Sequence, residues 1–201
     1  MLFALLFAVA ALLLPASAAT WYFLRYNLPS TQAFLSFSGT MQIPKLPKAG
    51  TYQNVLDGRS GTWWIGSGWC CSNPSLPWGG GFNTYQGESV TFSNVKDSSG
   101  NNWTSKLTRG SSSVTNSFAL GSKTFNQVLF AIELTGVSWD FGPLVFNNVV
   151  ITSSGTDTKW CTNAPENYNS ASNYAISGVS ASVSGKIVTC KINSVTLQSP
   201  K

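Results

Sequence analysis

Histidine is absent from the whole 201-residue chain, and Asp, Glu, Lys and Arg together supply only 9% of it. Without imidazole there is no Ser-His-Asp or Cys-His nucleophile pair, and the commonest protein ligand for transition metals is missing. The shortage of charge leaves the surface to Ser, Thr, Asn and Gly, a neutral polar surface common in secreted β proteins. The formal charge is +5, but its twelve basic residues are scattered, with no cluster suited to phosphate or anionic lipid. Helical periodicity is nearly absent. Beyond the N-terminus no apolar run approaches the roughly 20 residues that cross a bilayer as a helix. Nucleic acid, membrane, metal and cofactor are all unexpected partners.

Residues 2–14 are almost purely apolar and lead into Ala16-Ser17-Ala18, a small-residue cleavage site. Residues 1–18 therefore read as a signal peptide, and 19–201 as a single secreted, extracellular domain long enough to bury a full core. Four cysteines in that compartment imply two disulfides. Cys70 and Cys71 are adjacent and lack zinc spacing. A bond between such neighbours would be strained, so one is expected to reach Cys161 and the other Cys190. The loops closed would hold roughly 90 and 120 residues and contribute ~4 kcal/mol each on the chain-entropy model. Asn102-Trp103-Thr104 is the N-glycosylation sequon and predicts an exposed loop.

What the chain does have is short runs rich in Val, Ile, Thr, Phe and Trp between clusters of Gly, Ser, Asn and Pro, as in a sandwich or barrel. Strands are expected at 35–43, 63–66, 89–95, 102–108, 113–120, 125–135, 144–152, 174–180, 181–183 and 186–197, with Ser184-Gly185 as a hairpin turn. Residues 48–61, 71–82 and 157–173 read as loops. The stretch 61–71, GTWWIGSGWCC, holds three of the eight tryptophans. By parity Trp63 and Ile65 point to one side of its strand and Trp64 to the other. Such a strand is central, with one face covered and one turned to solvent or ligand.

The order of segments resembles that of the glutamic peptidases. Trp63-Trp64-Ile65-Gly66 is similar to their aromatic-W-[VI]-G strand, and Gln86-Gly87-Glu88-Ser89-Val90 to their E-G-D-S-I turn. Lys106-Leu107-Thr108-Arg109-Gly110 resembles their N-L-T-T-G hairpin, and Phe130-Ala131-Ile132-Glu133 the second half of A-E-F-I-I-E. Asp140-Phe141-Gly142, before Val145-Phe146-Asn147-Asn148, resembles the strand after that. Val183-Ser184-Gly185-Lys186-Ile187-Val188-Thr189-Cys190 matches the closing V-S-G-x-x-V-S-C hairpin. The likeness spans most of 34–195 and implies an all-β, concanavalin A-like antiparallel sandwich (jelly roll) of two bent sheets. It also implies acid hydrolysis of peptide bonds by a water that a Glu activates, while a Gln holds the oxyanion. Here that alignment places Leu129 at the Glu position, and no Q-T-G motif supplies the Gln.

Glu133 shares a face with Leu129 but lies four residues on, about 13 Å away at strand rise. It is the best available catalytic carboxylate, and only with a relocated partner, since general-base work needs hydrogen-bond reach. Its other reading is a structural acid at a strand end. Of the remaining acids, Glu88 and Asp140 stand near strand ends, and Asp57, Asp97, Asp157 and Glu166 in polar loops. Trp63, Trp64, Trp69, Trp78, Phe82 and Tyr85 form an aromatic series suited to stacking on sugar rings or peptide side chains. Core packing is the alternative for Trp63 and Trp64, while Trp69 and Trp78, beside Gly, Pro and Ser, are expected to be exposed. Two functions stand side by side: an acid endopeptidase, or a non-catalytic module. Either would be a monomer whose partner is an extracellular protein or polysaccharide.

Overall fold

The computed structural model describes residues 19–46, 56–57, 62–70, 73–135, 137–169 and 173–199. In chain order the elements are β1 (Thr20–Asn27), β2 (Phe34–Gln42), β3 (Leu56–Asp57), β4 (Trp63–Gly66), β5 (Gly81–Thr84), β6 (Ser89–Lys96) and β7 (Trp103–Arg109). They continue with β8 (Ser112–Phe118), β9 (Gln127–Leu134), β10 (Leu144–Ser154), α1 (Lys159–Thr162), β11 (Glu166–Tyr168), β12 (Ala175–Ser177), β13 (Ser180–Ser184) and β14 (Ile187–Leu197).

These strands make an all-β, antiparallel two-layer sandwich. One layer is a continuous sheet in the order β12-β14-β10-β2-β6-β7-β8, with β13 beside β14. The other is divided between β11-β1-β9 and β3-β4-β5. Period-two alternation sets which face turns inward. On β9, Val128, Phe130, Ile132 and Leu134 are buried, while Gln127, Leu129, Ala131 and Glu133 look the other way. Phe130 packs edge-on against Phe37 and Phe146 of the large sheet, with centroids 5.2 and 4.9 Å away. A buried phenyl in such a cluster is worth about 3 kcal/mol of burial. A second cluster joins the two halves of the divided layer: Trp139 meets Tyr22 of β1, and Phe141 meets Trp63 of β4.

The expected strands lie within a few residues of those observed. β10 carries a bulge between Asn147 and Val150, at which Asn148 takes a positive φ of 52°, a conformation Asn tolerates better than most residues. The β13–β14 hairpin turns at Gly185, φ 58°. Four strands fall where loops or nothing was expected: β1, β3, β5 and β11. β1, TWYFLRYN, is bulky at nearly every position, so no alternation marks it.

The expected disulfide pairing is wrong. Cys161 is bonded to Cys190. α1 places Cys161 in the core beside the chain's last hairpin, its sulfur 3.5 Å from Ser180 O and next to the Ala181–Cys190 register pair. Cys70 is also disulfide-bonded, but neither Cys161 nor Cys190 is left to be its partner. Cys71 lies outside the described residues, as do the expected signal peptide and most of the 48–61 loop.

Candidate functional site

The outer face of β11-β1-β9 follows from the register. Residues directly opposite share a face, so Glu133 stands with Trp21, Ala131 with Phe23 and Tyr168, and Leu129 with Arg25 and Glu166. Phe23 and Tyr168 stack at 4.6 Å. Leu129 is 36% exposed on this face. Where the resemblance calls for an acid, the sheet shows an isobutyl group beside an ion pair: Arg25 Nε donates to Glu166 Oε2 at 2.8 Å. Glu166, expected in a loop, is thus a strand residue with a structural partner.

Glu133 is half-buried, and desolvation raises its pKa above the ordinary carboxylate value. It borders a hollow of about 530 Å³ at β9, the edge strand of its sheet, lined by Phe37, Phe92 and Phe146 of the large sheet, by Ile65–Trp69, and by Trp21, Leu129 and Ala131 from the outward set. Among the described lining residues Glu133 is the one carboxylate, and Asn94 and Gln127 are the carboxamides. Gln127 lies six residues along β9, about 20 Å from Glu133 at strand rise, far outside the reach of a shared tetrahedral intermediate.

The other acids do structural work. Glu88 accepts from Tyr85 N–H and the Thr84 hydroxyl, both at 2.9 Å, and pairs with Arg109 at 3.3 Å. The Tyr85 main-chain bond leads these in holding its pKa down. Asp97 takes the Asn102 amide at 3.0 Å and the Ser99 hydroxyl at 2.9 Å, which draws its pKa to about 2. Asp157 accepts Lys159 N–H ahead of α1. Asp140 is half-buried between Trp139 and Phe141. The side chain of Asp57 lies outside the described residues. Asn102, the sequon residue, is half-buried at the entry to β7, and its amide nitrogen is the donor to Asp97.

The aromatic series divides. Trp63, placed among the ligand-facing rings, is instead fully buried, its indole N–H donating to Pro44 O at 3.0 Å. Trp64 faces outward and lies across the register pair Gly66–Gly81: a Cβ on either glycine would be driven into its benzo ring. Trp78 seats in the same way on Gly68 and is 41% exposed. Each of these indoles has one side against backbone; Trp64 is half-buried and Trp78 is the more exposed. Gly66 and Gly68 are at most about 7 Å apart, so the two rings are near neighbours. Gly79 and Gly80 press on Asn116, whose amide bridges Gly80 N and O at 2.9 and 3.2 Å. The 79–81 run, within the expected 71–82 loop, is therefore pinned at all three glycines. Trp69, expected to be exposed, is half-buried, edge-on to Phe125 with Lys123 Nζ 5.8 Å over its ring. Tyr85 is 56% exposed, and Arg109 lies over it and over Phe82. Beside Trp78 a second hollow, about 620 Å³, is bordered by Trp69, Asn73, Ser75 and Leu76 and by no charged side chain among the described residues.

The indole seats at Gly66, Gly68 and Gly81 carry no motif of their own, and only the density of Trp and Gly in 61–82 marks them. Trp21, Phe23 and Tyr168 were not singled out at all, because the strands that place them together are the unpatterned β1 and the three-residue β11. Comparisons with protein-family models, curated proteins and solved structures return no match for this chain.

Proposed function

We propose that this chain is a secreted, non-hydrolytic relative of the glutamic peptidases that holds an uncharged polysaccharide on the indoles of Trp64 and Trp78. The observation that carries the reading is the seating of both rings on glycines, Trp64 on β4 and Trp78 in the loop before β5, each left part-exposed. A pyranose ring has an apolar C–H face and a hydroxyl rim. The face stacks on indole, and the rim needs neutral donors and acceptors. Asn83, exposed and on the same face as Trp64, and Asn73 and Ser75 beside Trp78 supply such groups. Among the described residues no charged side chain lines the hollow beside Trp78, so an acidic or basic polymer finds no opposite charge on that lining. The glutamic peptidase likeness is supported by where its motifs fall: on β4, the turn into β6, the β7–β8 hairpin, β9, β10 and the β13–β14 hairpin. Secretion is supported by the Cys161–Cys190 disulfide, which fits an oxidising compartment. Loss of hydrolysis follows from Leu129 at the acid's position.

Equilibrium depletion by suspended cellulose, chitin and β-1,3-glucan tests the reading. Retention on at least one glycan is expected, weakened about tenfold or more by Trp64→Ala or Trp78→Ala, as for the central aromatic of an interface. Retention of the Trp64→Ala/Trp78→Ala double variant at the parent's level, or no retention on any glycan, would sink it.

One observation favours a second reading, acid peptidase activity: Glu133 borders the hollow over Phe37, Phe92 and Phe146 with a raised pKa. Incubation with denatured protein at about pH 3–5, beside Glu133→Gln, separates the two. Cleavage by the parent and not by the variant would establish the peptidase, whereas the binding module leaves the substrate intact.

A further inference from the structure

β9 is the last strand of β11-β1-β9, and among the described residues no strand pairs with its far edge. The ladder to β1 fixes which main-chain groups stand on that edge. Leu28 N–H donates to Asn126 O at 2.9 Å, in the register that also sets Tyr26 opposite Val128 and Leu24 opposite Phe130. In an antiparallel ladder every second opposite pair exchanges hydrogen bonds. Val128, Phe130 and Ile132 therefore direct their N–H and C=O to β1, and Gln127, Leu129 and Ala131 direct theirs away from it. Trp21 agrees, because its C=O leaves β1 on the β11 side and accepts the Asn169 amide at 3.0 Å. The edge is accessible, with Gln127 and Leu129 exposed and Ala131 half-buried. β9 has no Pro, Lys or Arg, and its register to β1 has no bulge, so the usual devices that blunt an edge are missing.

We propose that β9 takes up an extended segment of another protein as an added strand, bonded to the main chain of Gln127, Leu129 and Ala131, with apolar side chains at alternate positions in the adjoining hollow. Donor and acceptor pairs that recur every two residues, about 6.6 Å apart at strand rise, are matched by another extended backbone. Side chains of that backbone that share a face with Val128 and Phe130 point toward Phe37, Phe92 and Phe146, which line the same hollow. The main chain supplies affinity, and this phenyl wall selects apolar residues at every second position. A hollow of about 530 Å³ takes a short single strand, not the three-stranded sheet that a second copy would bring. Neither Trp64 nor Trp78 borders it, so the proposal stands apart from polysaccharide binding.

The test uses the full secreted chain and a fluorescein-labelled heptapeptide that alternates Thr with Val and Phe, followed by fluorescence anisotropy. Saturable binding is expected. Two N-methylated forms of the peptide, one methylated at the Thr amides and one at the Val and Phe amides, keep every side chain. A strand turns alternate N–H groups to opposite edges, so one form should bind at least tenfold more weakly than the other. Leu129→Pro removes an N–H that the ladder to β1 does not use, a place where an edge strand tolerates proline. It is expected to weaken binding about tenfold with its urea midpoint retained; if it does not fold, the methylated peptides decide alone. Non-saturable binding, equal binding by the two methylated forms, or a folded Leu129→Pro that binds as tightly as the parent would overturn the assignment. So would a concentration-dependent dimer that Leu129→Pro dissolves while no peptide binds, which would give the edge to a second copy.

Discussion

At the scale of single residues, two glycines under one tryptophan behave differently. A Cβ on Gly66 meets only the Trp64 ring among its nearest atoms, whereas a Cβ on Gly81 meets the ring and the carbonyl oxygen of Ile65. A ring can move; a backbone oxygen inside a ladder cannot. Gly66→Ala is therefore expected to cost about 1–3 kcal/mol in the parent and little once Trp64→Ala has removed the ring. Gly81→Ala should stay costly in both backgrounds. Urea midpoints of the two double-mutant cycles read this directly. Asp97 gives a pH signature. Asn102, then Ser99 and the main-chain N–H groups of Asn102 and Asn101, hold its pKa at about 2, below its ordinary 3.8. The folded pKa is the lower one, so the contribution is complete above about pH 4 and is lost as pH falls toward 2. Asp97→Asn should lower the urea midpoint at pH 7 and match the parent near pH 2. A difference that persists at pH 2 would assign the effect to packing.

At the scale of elements, legibility tracks how cleanly one face is buried. β9 alternates without a break, and its inward and outward sets are evident in the sequence. β10 and β14 pair along most of their eleven residues at the centre of the large sheet, and both are equally plain. β1 is not, because aromatic residues occupy both of its faces: Leu24 and Tyr26 go to the core, Trp21 and Phe23 to the outer surface. β11 and β5 are short strands set by partners distant in sequence, and their residues have no pattern to show. The disulfide was misjudged for a related reason. Length of separation gave no sign that α1 would return Cys161 to the final hairpin. The observed separation of 29 residues gives about 3.5 kcal/mol of loop-closure stabilisation. Replacing both Cys161 and Cys190 by Ala should cost about that much in a denaturant titration, with the sheet signal in circular dichroism retained. A loss below 1 kcal/mol would place the stability of this end in packing alone.

At the scale of the molecule, the second layer is split between β11-β1-β9 and β3-β4-β5, and residues of both, Ile65–Trp69 and β9, border the hollow over Phe37, Phe92 and Phe146. The sequence displayed most of the parts of a candidate site, namely the tryptophans, Glu133 and the absence of a second acid at Leu129. Their distribution over faces was hidden. Parity separates Trp63 from Trp64 but cannot tell which of them is in the core. That depends on Phe141 arriving from a distant loop and on Pro44 O accepting the Trp63 N–H. The account's central claim is that Trp64 and Trp78 meet a glycan while Trp63 and Trp139 serve the core. An indole N–H titration tests it most directly, by following the nitrogen–proton signals of the eight tryptophans, assigned by single Trp→Phe variants, against soluble oligomers of the retained glycan. Saturable shifts of Trp64 and Trp78, with Trp63 and Trp139 unmoved, are the expected result. Movement of the buried pair with Trp64 and Trp78 silent, or no saturable shift at all, would contradict it.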